Sequence, residues 1–377
     1  MSSTTVSREL LSTASSIRRI LFLCPDLHEL GGIGMVSRLS LEALQSFSES
    51  SGFDGEVWSY GAPKSDAIAG TGRWKTRYAN YRKIKATMWG VAASLQDTRD
   101  TLVVAMHLHL APLALPLVRR GGRLAVFLHG LEAWRTLGGI RLRGLQHATI
   151  LIANSRFTVQ QFKQANPKMA DARVCVCLPG INDVAAQSSA PEFSRAYALI
   201  VGRLSSQERY KGHDALLEIW PNVSKTSPNA HLVIAGDGDD RQRLEEKARQ
   251  LGLIRAVTFL GNVSAERLAS LYANCSFFVM PSSQEGFGLV FLEAMRAGKA
   301  CIAGEGAASE IVVPGETGFI VPSNNRRELV AAVSHLFGNS ELSVSMGRAG
   351  RQRYLAEFTG AHFAQRLLAA LELKNGI

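Results

Sequence analysis

The feature that most constrains this chain is a rhythm. Short apolar, β-branched runs alternate with longer amphipathic segments, and the alternation runs through the chain twice with a break between. "RILFLC" (19–24) opens it, then "GGIG" and a helical pattern through "MVSRLSLEALQSF". Further strands are predicted at 55–59, 102–107, 123–128, 149–153 and 173–178. After "NDVAAQSSAPEFSRA" (182–196), which is small, polar and aperiodic, strands are predicted at 198–202, 231–235, 256–259, 276–280, 300–303 and 318–321. Helices are predicted at 211–220, 239–251, 264–274, 288–297 and 325–337, with two more at 341–357 and 360–374. Strands joined through helices run parallel, and nearly continuous apolar strands need cover on both faces. The expected class is therefore α/β, with two Rossmann-like, doubly wound domains facing across a cleft. A ligand is expected at the C-terminal ends of their strands.

The 377 residues are 46% hydrophobic and 20% charged, enough apolar material for two cores. The net charge of +10 is uneven: residues 1–195 hold 23 Lys+Arg against 14 Asp+Glu, whereas residues 196–377 hold 19 against 18. The first half therefore suits an anionic partner, such as nucleic acid, anionic lipid or a phosphorylated substrate, or carries a plain solubility charge. Five cysteines without a C-x-x-C pair argue against a disulfide framework and for a reducing compartment. Residues 1–17 are polar and flexible in expectation and lack the apolar core of a signal peptide. The most apolar run, "LVVAMHLHLAPLALPLV" (102–118), is broken by two histidines and two prolines. It fits a buried strand plus a helix better than a membrane span.

Several motifs sit where strands give way to helices. Gly31, Gly32 and Gly34 let backbone approach a phosphate at a helix N-terminus, or serve packing alone. Ser37 stands where a dinucleotide fingerprint needs its third glycine. Arg203 and Lys211 could neutralise a diphosphate, or could be two solvated cations. Asp237-Gly238-Asp239 suits a divalent metal or, preferably, a turn with Asp as helix N-cap. His107, His109 and His129 fall at strand ends; His129, beside Gly130, is the favoured functional one. The stretch 71–90 sets Arg73, Lys75, Arg77, Arg82, Lys83 and Lys85 among Trp74, Tyr78, Tyr81 and Trp89. It reads as a membrane-surface or acceptor-contacting element, as a nucleic-acid contact, or as a solvated helix face with its aromatics inward.

"MPSSQEGFGLVFLEAMRAGKA" holds Glu285 and Glu293 eight residues apart. In one helix they would be about 12 Å apart, whereas glycosidase carboxyl pairs lie roughly 5–9.5 Å apart. Gly286 and Gly288 instead place Glu285 in a loop, with a helix starting near Gly288. One carboxylate would then meet the reacting end of a ligand and the other a diol, while the amides of Phe287, Gly288, Leu289 and Val290 face phosphates.

"EGFGLVFLEAMRAG", with its Glu-x7-Glu, resembles the signature of the retaining glycosyltransferases of family 4, which have the GT-B fold. "GGIG", "FLHG", "ANSRF", "VGRL…KGHD", "AGDGDD" and "PGETGFIV" are similar to other stretches of that family, so the resemblance spans most of the chain. It implies an acceptor-side domain at 18–190, a nucleotide-sugar-binding domain at 191–358, and a final helix at 359–377 packing back toward the first. It implies that Arg203 and Lys211 neutralise the diphosphate, that Glu293 holds the ribose, and that Glu285 and His129 lie near the donor sugar. The Gly31–Gly34 loop would close over the phosphates. Asn262 and Val263 are candidates for the base pocket, and His109 for acceptor contact. The implied activity is retaining transfer of a mannose- or glucose-type hexose from a nucleotide-diphosphate sugar to a lipid-linked or other glycan acceptor. That would serve bacterial surface polysaccharide or glycolipid synthesis, at the inner face of the cell membrane. No metal, cofactor or nucleic acid is expected. A nucleotide-sugar 2-epimerase of the same fold and a non-catalytic, degenerate transferase are the alternatives.

Overall fold

A computed structural model describes residues 17–29, 31–63, 74–183 and 192–373. The chain divides into two compact units: residues 1–179 with 360–377, and residues 180–359. Most of the polar break expected at 182–196, and nearly all of the N-terminal stretch 1–17, lie outside the described residues.

In the first unit the elements are β1 (Arg19–Cys24), α1 (Gly32–Ser51), β2 (Asp54–Ser59), β3 (Lys75–Tyr78) and α2 (Lys83–Ala93). Then come β4 (Thr101–Ala105), α3 (Ala111–Val118), β5 (Arg123–Leu128), α4 (Gly139–Gln146), β6 (Ile150–Ala153), α5 (Arg156–Ala165) and β7 (Val174–Val176). The strands form a parallel sheet of order β3-β2-β1-β4-β5-β6-β7. Its central strands are buried almost throughout, as strands covered on both faces must be. The edge strand β3 alternates exposed and half-buried residues and carries Lys75 and Arg77, cations that discourage further pairing. The apolar run 102–118 divides into β4 and α3.

The second unit contains β8 (Tyr197–Val201), α6 (His213–Thr226), β9 (His231–Ala235), α7 (Arg241–Gln250), β10 (Val257–Gly261), α8 (Ala265–Asn274), β11 (Phe277–Met280) and α9 (Leu289–Arg296). β12 (Cys301–Gly304), β13 (Gly318–Val321), α10 (Arg326–Gly338) and α11 (Ser340–Glu357) follow. The sheet order is β10-β9-β8-β11-β12-β13, again all parallel. Counted within the unit this is 3-2-1-4-5-6, the Rossmann order. The chain then returns to the first unit as α12 (Gly360–Ala370), which packs on α1 through buried Phe363 and Leu367. Arg366 donates to the Leu178 carbonyl at 3.3 Å, and Arg123 pairs with Glu372 at 2.9 Å.

In each sheet the winding direction reverses at one gap, between β1 and β4 and between β8 and β11. Loops leaving neighbouring strands at such a gap diverge and leave a crevice at the strands' C-terminal ends. That is where chemistry-bearing residues are to be sought in each unit.

Candidate active site

In the second unit the switch point is flanked by the segments following β8 and β11. Arg203 lies just past the end of β8, and Lys211 closes a one-turn 3-10 helix, Arg209–Lys211, just before α6. From the sequence they are either a pair for one diphosphate or two solvated cations. The structure joins them through Glu208: its Oε1 accepts from Arg203 Nη2 at 2.8 Å, and its Oε2 lies 2.7 Å from Lys211 Nζ. Arg203 remains mostly exposed, whereas the Lys211 side chain is only 16% exposed. The turn is braced from behind, where Arg209 and Arg243 both bind Asp240, and Arg243 and Lys247 both bind Asp214.

Across the switch point, Glu285 lies in the loop between β11 and α9. That loop is tied to the Lys211 turn, because Ser283 donates its amide to the Tyr210 carbonyl at 2.9 Å. Glu285 is partly buried, and burial raises its carboxyl above the usual carboxylate range; Lys211 opposes the rise. Gly288 caps α9 with φ 99°, a left-handed conformation, and a side chain there would meet Phe291 at 2.6 Å. Phe287 is buried, whereas Leu289 and Val290 keep accessible edges at the first turn of α9. Gly286 donates its amide to Glu285. Glu293, one turn into α9, is also partly buried and also raised, chiefly by burial. The Tyr272 hydroxyl bonds to it and holds it down in part. The two glutamates are thus separated by a turn of helix and its glycine start. Asn262 and Val263 follow β10, exposed and half-buried respectively.

The Asp237-Gly238-Asp239 turn departs from the expected helix cap. No side chain caps α7. Asp239 instead accepts from the Ser206 amide at 3.0 Å and hydroxyl at 2.5 Å, while Asp237 accepts from the Gly238 amide at 2.9 Å and pairs with Arg241 at 3.4 Å. The Asp239 carboxylate thus holds the loop after β8 to the loop after β9, and that of Asp237 braces its own turn. Among the described residues no group of three or more side chains is arranged to bind a metal ion.

In the first unit, Gly31 precedes α1 with φ 154° and Gly32 begins it. Any side chain at Gly34 would strike the Glu29 carbonyl. Arg38, which sequence reading passed over, reaches back from α1 to the Leu27 and Glu29 carbonyls at 3.0 and 3.1 Å and fixes the glycine loop. His129 follows β5 and is buried. Its Nε2 lies 2.6 Å from the Met106 carbonyl, which can only accept, so Nε2 carries the proton and Nδ1 the lone pair. Two further unanticipated residues set the turn: Glu132 accepts the His129 amide at 2.6 Å, and Asn154 donates to the His129 carbonyl at 2.6 Å. The only sequence hints were their places in "HGLE" and "ANSRF". Burial lowers the imidazolium pKa of His129, of His109, and of His107, the last to about 4, so these rings are neutral near pH 7. His107 lies between the other two, stacked on His129 with ring centroids 6.3 Å apart and tilted against His109 at 4.6 Å.

A cavity of about 660 Å³ opens in the first unit beside these histidines. Glu29, Lys83, His107, His109, Ile140 and Arg141 are among its lining residues. Of the basic, aromatic stretch, Lys83, Ala86 and Thr87 line it, Lys83 being the one charged residue among them. Trp74 is in the core, donating to Ser48 Oγ at 3.2 Å, and Arg77 pairs with Glu56. Neither is available to a membrane or acceptor. Lys85 is exposed but bonded to the Tyr78 carbonyl at 2.7 Å and lies over Trp89. Lys75 and Arg82 are exposed, and Arg73 lies outside the described residues.

Residues 184–353 match the family model described as Glycosyl transferases group 1. The chain is 31% identical over 296 residues to a GDP-mannose-dependent alpha-(1-6)-phosphatidylinositol monomannoside mannosyltransferase of Mycolicibacterium smegmatis, covering 70% of this chain and 76% of the relative. It is 35% identical over 170 residues to glycogen synthase of Mycobacterium tuberculosis, covering 45% and 40% of the two chains. Among solved structures, Anabaena HepE in complex with UDP superposes with a TM-score of 0.74 at 20% identity, over 94% of this chain and 99% of that one.

Proposed function

The chain belongs to the group 1 glycosyl transferases, its two Rossmann-like units being the GT-B fold, and from that premise we propose that it moves a mannose- or glucose-type hexose with retention of anomeric configuration. The donor is a nucleotide-diphosphate sugar, with GDP-mannose the first to test because the mannosyltransferase relative is named for it. The acceptor is a lipid-linked or other glycan in bacterial surface polysaccharide or glycolipid synthesis, reached by peripheral association with the inner face of the cell membrane. No described helix is long and apolar enough to cross a membrane.

One observation carries the reading. Arg203 and Lys211 are held together by Glu208 on one side of a switch point, and Glu285 and Glu293 follow the neighbouring strand on the other side of that switch point. Two cations at one anion suit the diphosphate, whose charge grows as the glycosidic bond breaks, so they assist departure electrostatically. Glu293 accepts from the ribose diol, and Glu285 contacts the donor sugar. The exposed amides at the start of α9 face phosphate oxygens. In the first unit His129, neutral with its proton fixed on Nε2, hydrogen-bonds the donor sugar near the reacting centre.

The test is a thermal-shift panel of nucleoside diphosphates and their sugars, repeated with Arg203→Ala and Lys211→Ala. Stabilisation by a diphosphate that both substitutions abolish is expected. No shift with any nucleotide would refute the donor assignment. Conversion of the donor to its epimer without any acceptor would assign the chain to 2-epimerase chemistry instead.

A further inference from the structure

Helix α2 is apolar on the wrong side as well as the right one. Its inner face is anchored: Ala86 and Gly90 are buried, Trp89 packs on Trp58 with centroids 5.9 Å apart, and Gly90 sits against the Leu113 carbonyl of α3. Its outer face carries Ile84, Met88 and Val91 at 78, 65 and 51% exposure, and Leu95, in the turn just past its end, is 73% exposed. Spacings of four and three residues place the three helical side chains in one stripe, which Leu95 continues. A stripe of this size on a firmly packed helix is an interaction surface.

The charges around it choose the partner. Between Ala67 and Gln96 the chain has six Lys and Arg and no Asp or Glu. Arg82, Lys83 and Lys85 crowd the first turn of α2, where the helix dipole disfavours cations, so they gain nothing from the helix itself. Lys83 makes no ion pair with any described residue, nor does Arg141, which follows exposed Ile140 on α4. A second copy of this chain is a poor occupant. A two-fold contact with the helices parallel would bring like charges from both copies together, and an antiparallel one would leave the basic first turns without a carboxylate on the helix facing them. An anionic bilayer satisfies both features, with aliphatic side chains at the acyl boundary and cations on the headgroups.

We propose that α2 is a bilayer-docking helix, entering an anionic leaflet with Ile84, Met88 and Val91, and with Leu95 just past its end, and holding headgroups with Arg82 and Lys83. Lys83 also lines the 660 Å³ cavity, as do Ala86 and Thr87 of the same helix. The docked face and the cavity thus share one helix, and a phosphorylated lipid headgroup passes from one to the other along Lys83. That last step rests on the proposed transfer to a lipid acceptor; the docking does not.

The experiment uses the full chain, sedimented with vesicles of phosphatidylcholine alone or mixed with phosphatidylglycerol. Binding to the mixed vesicles only is expected. Met88→Glu/Val91→Glu should lower the partition coefficient at least tenfold with Tm unchanged. Arg82→Gln and Lys83→Gln should each lower it roughly fivefold, the equivalent of about 1 kcal/mol per surface cation. Unchanged binding by Met88→Glu/Val91→Glu, equal binding to neutral vesicles, or no binding would overturn the proposal. So would a wild-type dimer that this double variant dissociates, which would give the stripe to a second copy. Donor-induced thermal shift, measured without vesicles, stays as in wild type for Met88→Glu/Val91→Glu. Its absence in every variant, wild type included, would instead count against the proposed transferase reading.

Discussion

Replacing Lys211 with methionine removes one charge and keeps the side-chain volume, so it isolates the electrostatic role assigned to this residue. A unit charge about 4 Å from a phosphate oxygen, at an effective dielectric near 20, contributes about 4 kcal/mol. Losing one preorganised donor of this kind has a typical cost of about 3–4 kcal/mol in the transition state. With its side chain only 16% exposed, Lys211 is little discounted by solvent. The catalytic efficiency kcat/KM should therefore fall by roughly 10²–10³. Stability should fall less than activity, because Glu208 keeps Arg203 at 2.8 Å and is not left without a cation. A second readout comes from Glu285, whose carboxyl is raised by burial and held down by Lys211. Without that charge less of Glu285 is ionised at neutral pH, and the acid limb of the kcat/KM profile moves to higher pH. The assay is nucleoside diphosphate release from GDP-mannose with membrane lipid extract as acceptor, run beside thermal unfolding. A loss under about threefold, or a loss that Tm fully tracks, would refute the assignment of Lys211 to the leaving group.

Tyr272→Phe removes the hydroxyl that binds Glu293 and keeps the ring. A hydrogen bond to a charged group is worth about 1.5–3 kcal/mol, so the donor KM should rise roughly tenfold or more. Turnover should change little, since ribose recognition is shared by ground and transition states; a fall in kcat at constant KM would contradict the positioning role. Glu285→Gln should stabilise the protein, and only above acidic pH. Burial raises the folded carboxyl above its ordinary 4.5, so the stability linked to its proton is full below that value and is lost as pH rises through the raised one. The neutral amide escapes that loss, so the Tm gain over wild type should be near zero at about pH 4 and positive at about pH 7.5. A gain confined to low pH would reverse the sign of the argument.

Where burial on both faces governs, the fold was legible residue by residue. β1, β5 and β9 span the residues their patterns predict, each a buried apolar run behind one polar first residue, since a strand packed on two sides has little freedom to be anything but apolar. β3 was not legible. Its period-two pattern is written in Lys75, Thr76, Arg77 and Tyr78, and on a sheet edge the cations read as a solvated or membrane-facing stretch. The same stretch hid its outward stripe. Trp74 and Trp89 drew attention as amphipathic residues but pack inward, while the unremarkable Ile84, Met88, Val91 and Leu95 point out. Composition can say that a segment is basic and apolar, but which face is which depends on the neighbours α2 meets.

The candidate site divides along the same line. Glycines and carboxylates at strand ends were visible, because backbone approach and helix starts leave a local signature. Partnerships across the unit were not. Glu208 lies three residues before Lys211 in "SSQERYKG" and looks like one more surface charge, yet it turns two scattered cations into a single site. This arrangement has a physical logic. Two guanidinium or ammonium groups brought together without a counterion would repel, and the chain would have to spend stability to hold them. A carboxylate between them removes that repulsion in the free protein, while one negative charge leaves the pair undersaturated. A diphosphate carries more charge and more acceptor oxygens than Glu208, so it can take up both donors with little rearrangement. Preorganisation of this kind places the discriminating residue outside any motif. Glu208→Ala should therefore weaken donor binding although no atom of Glu208 need touch the donor.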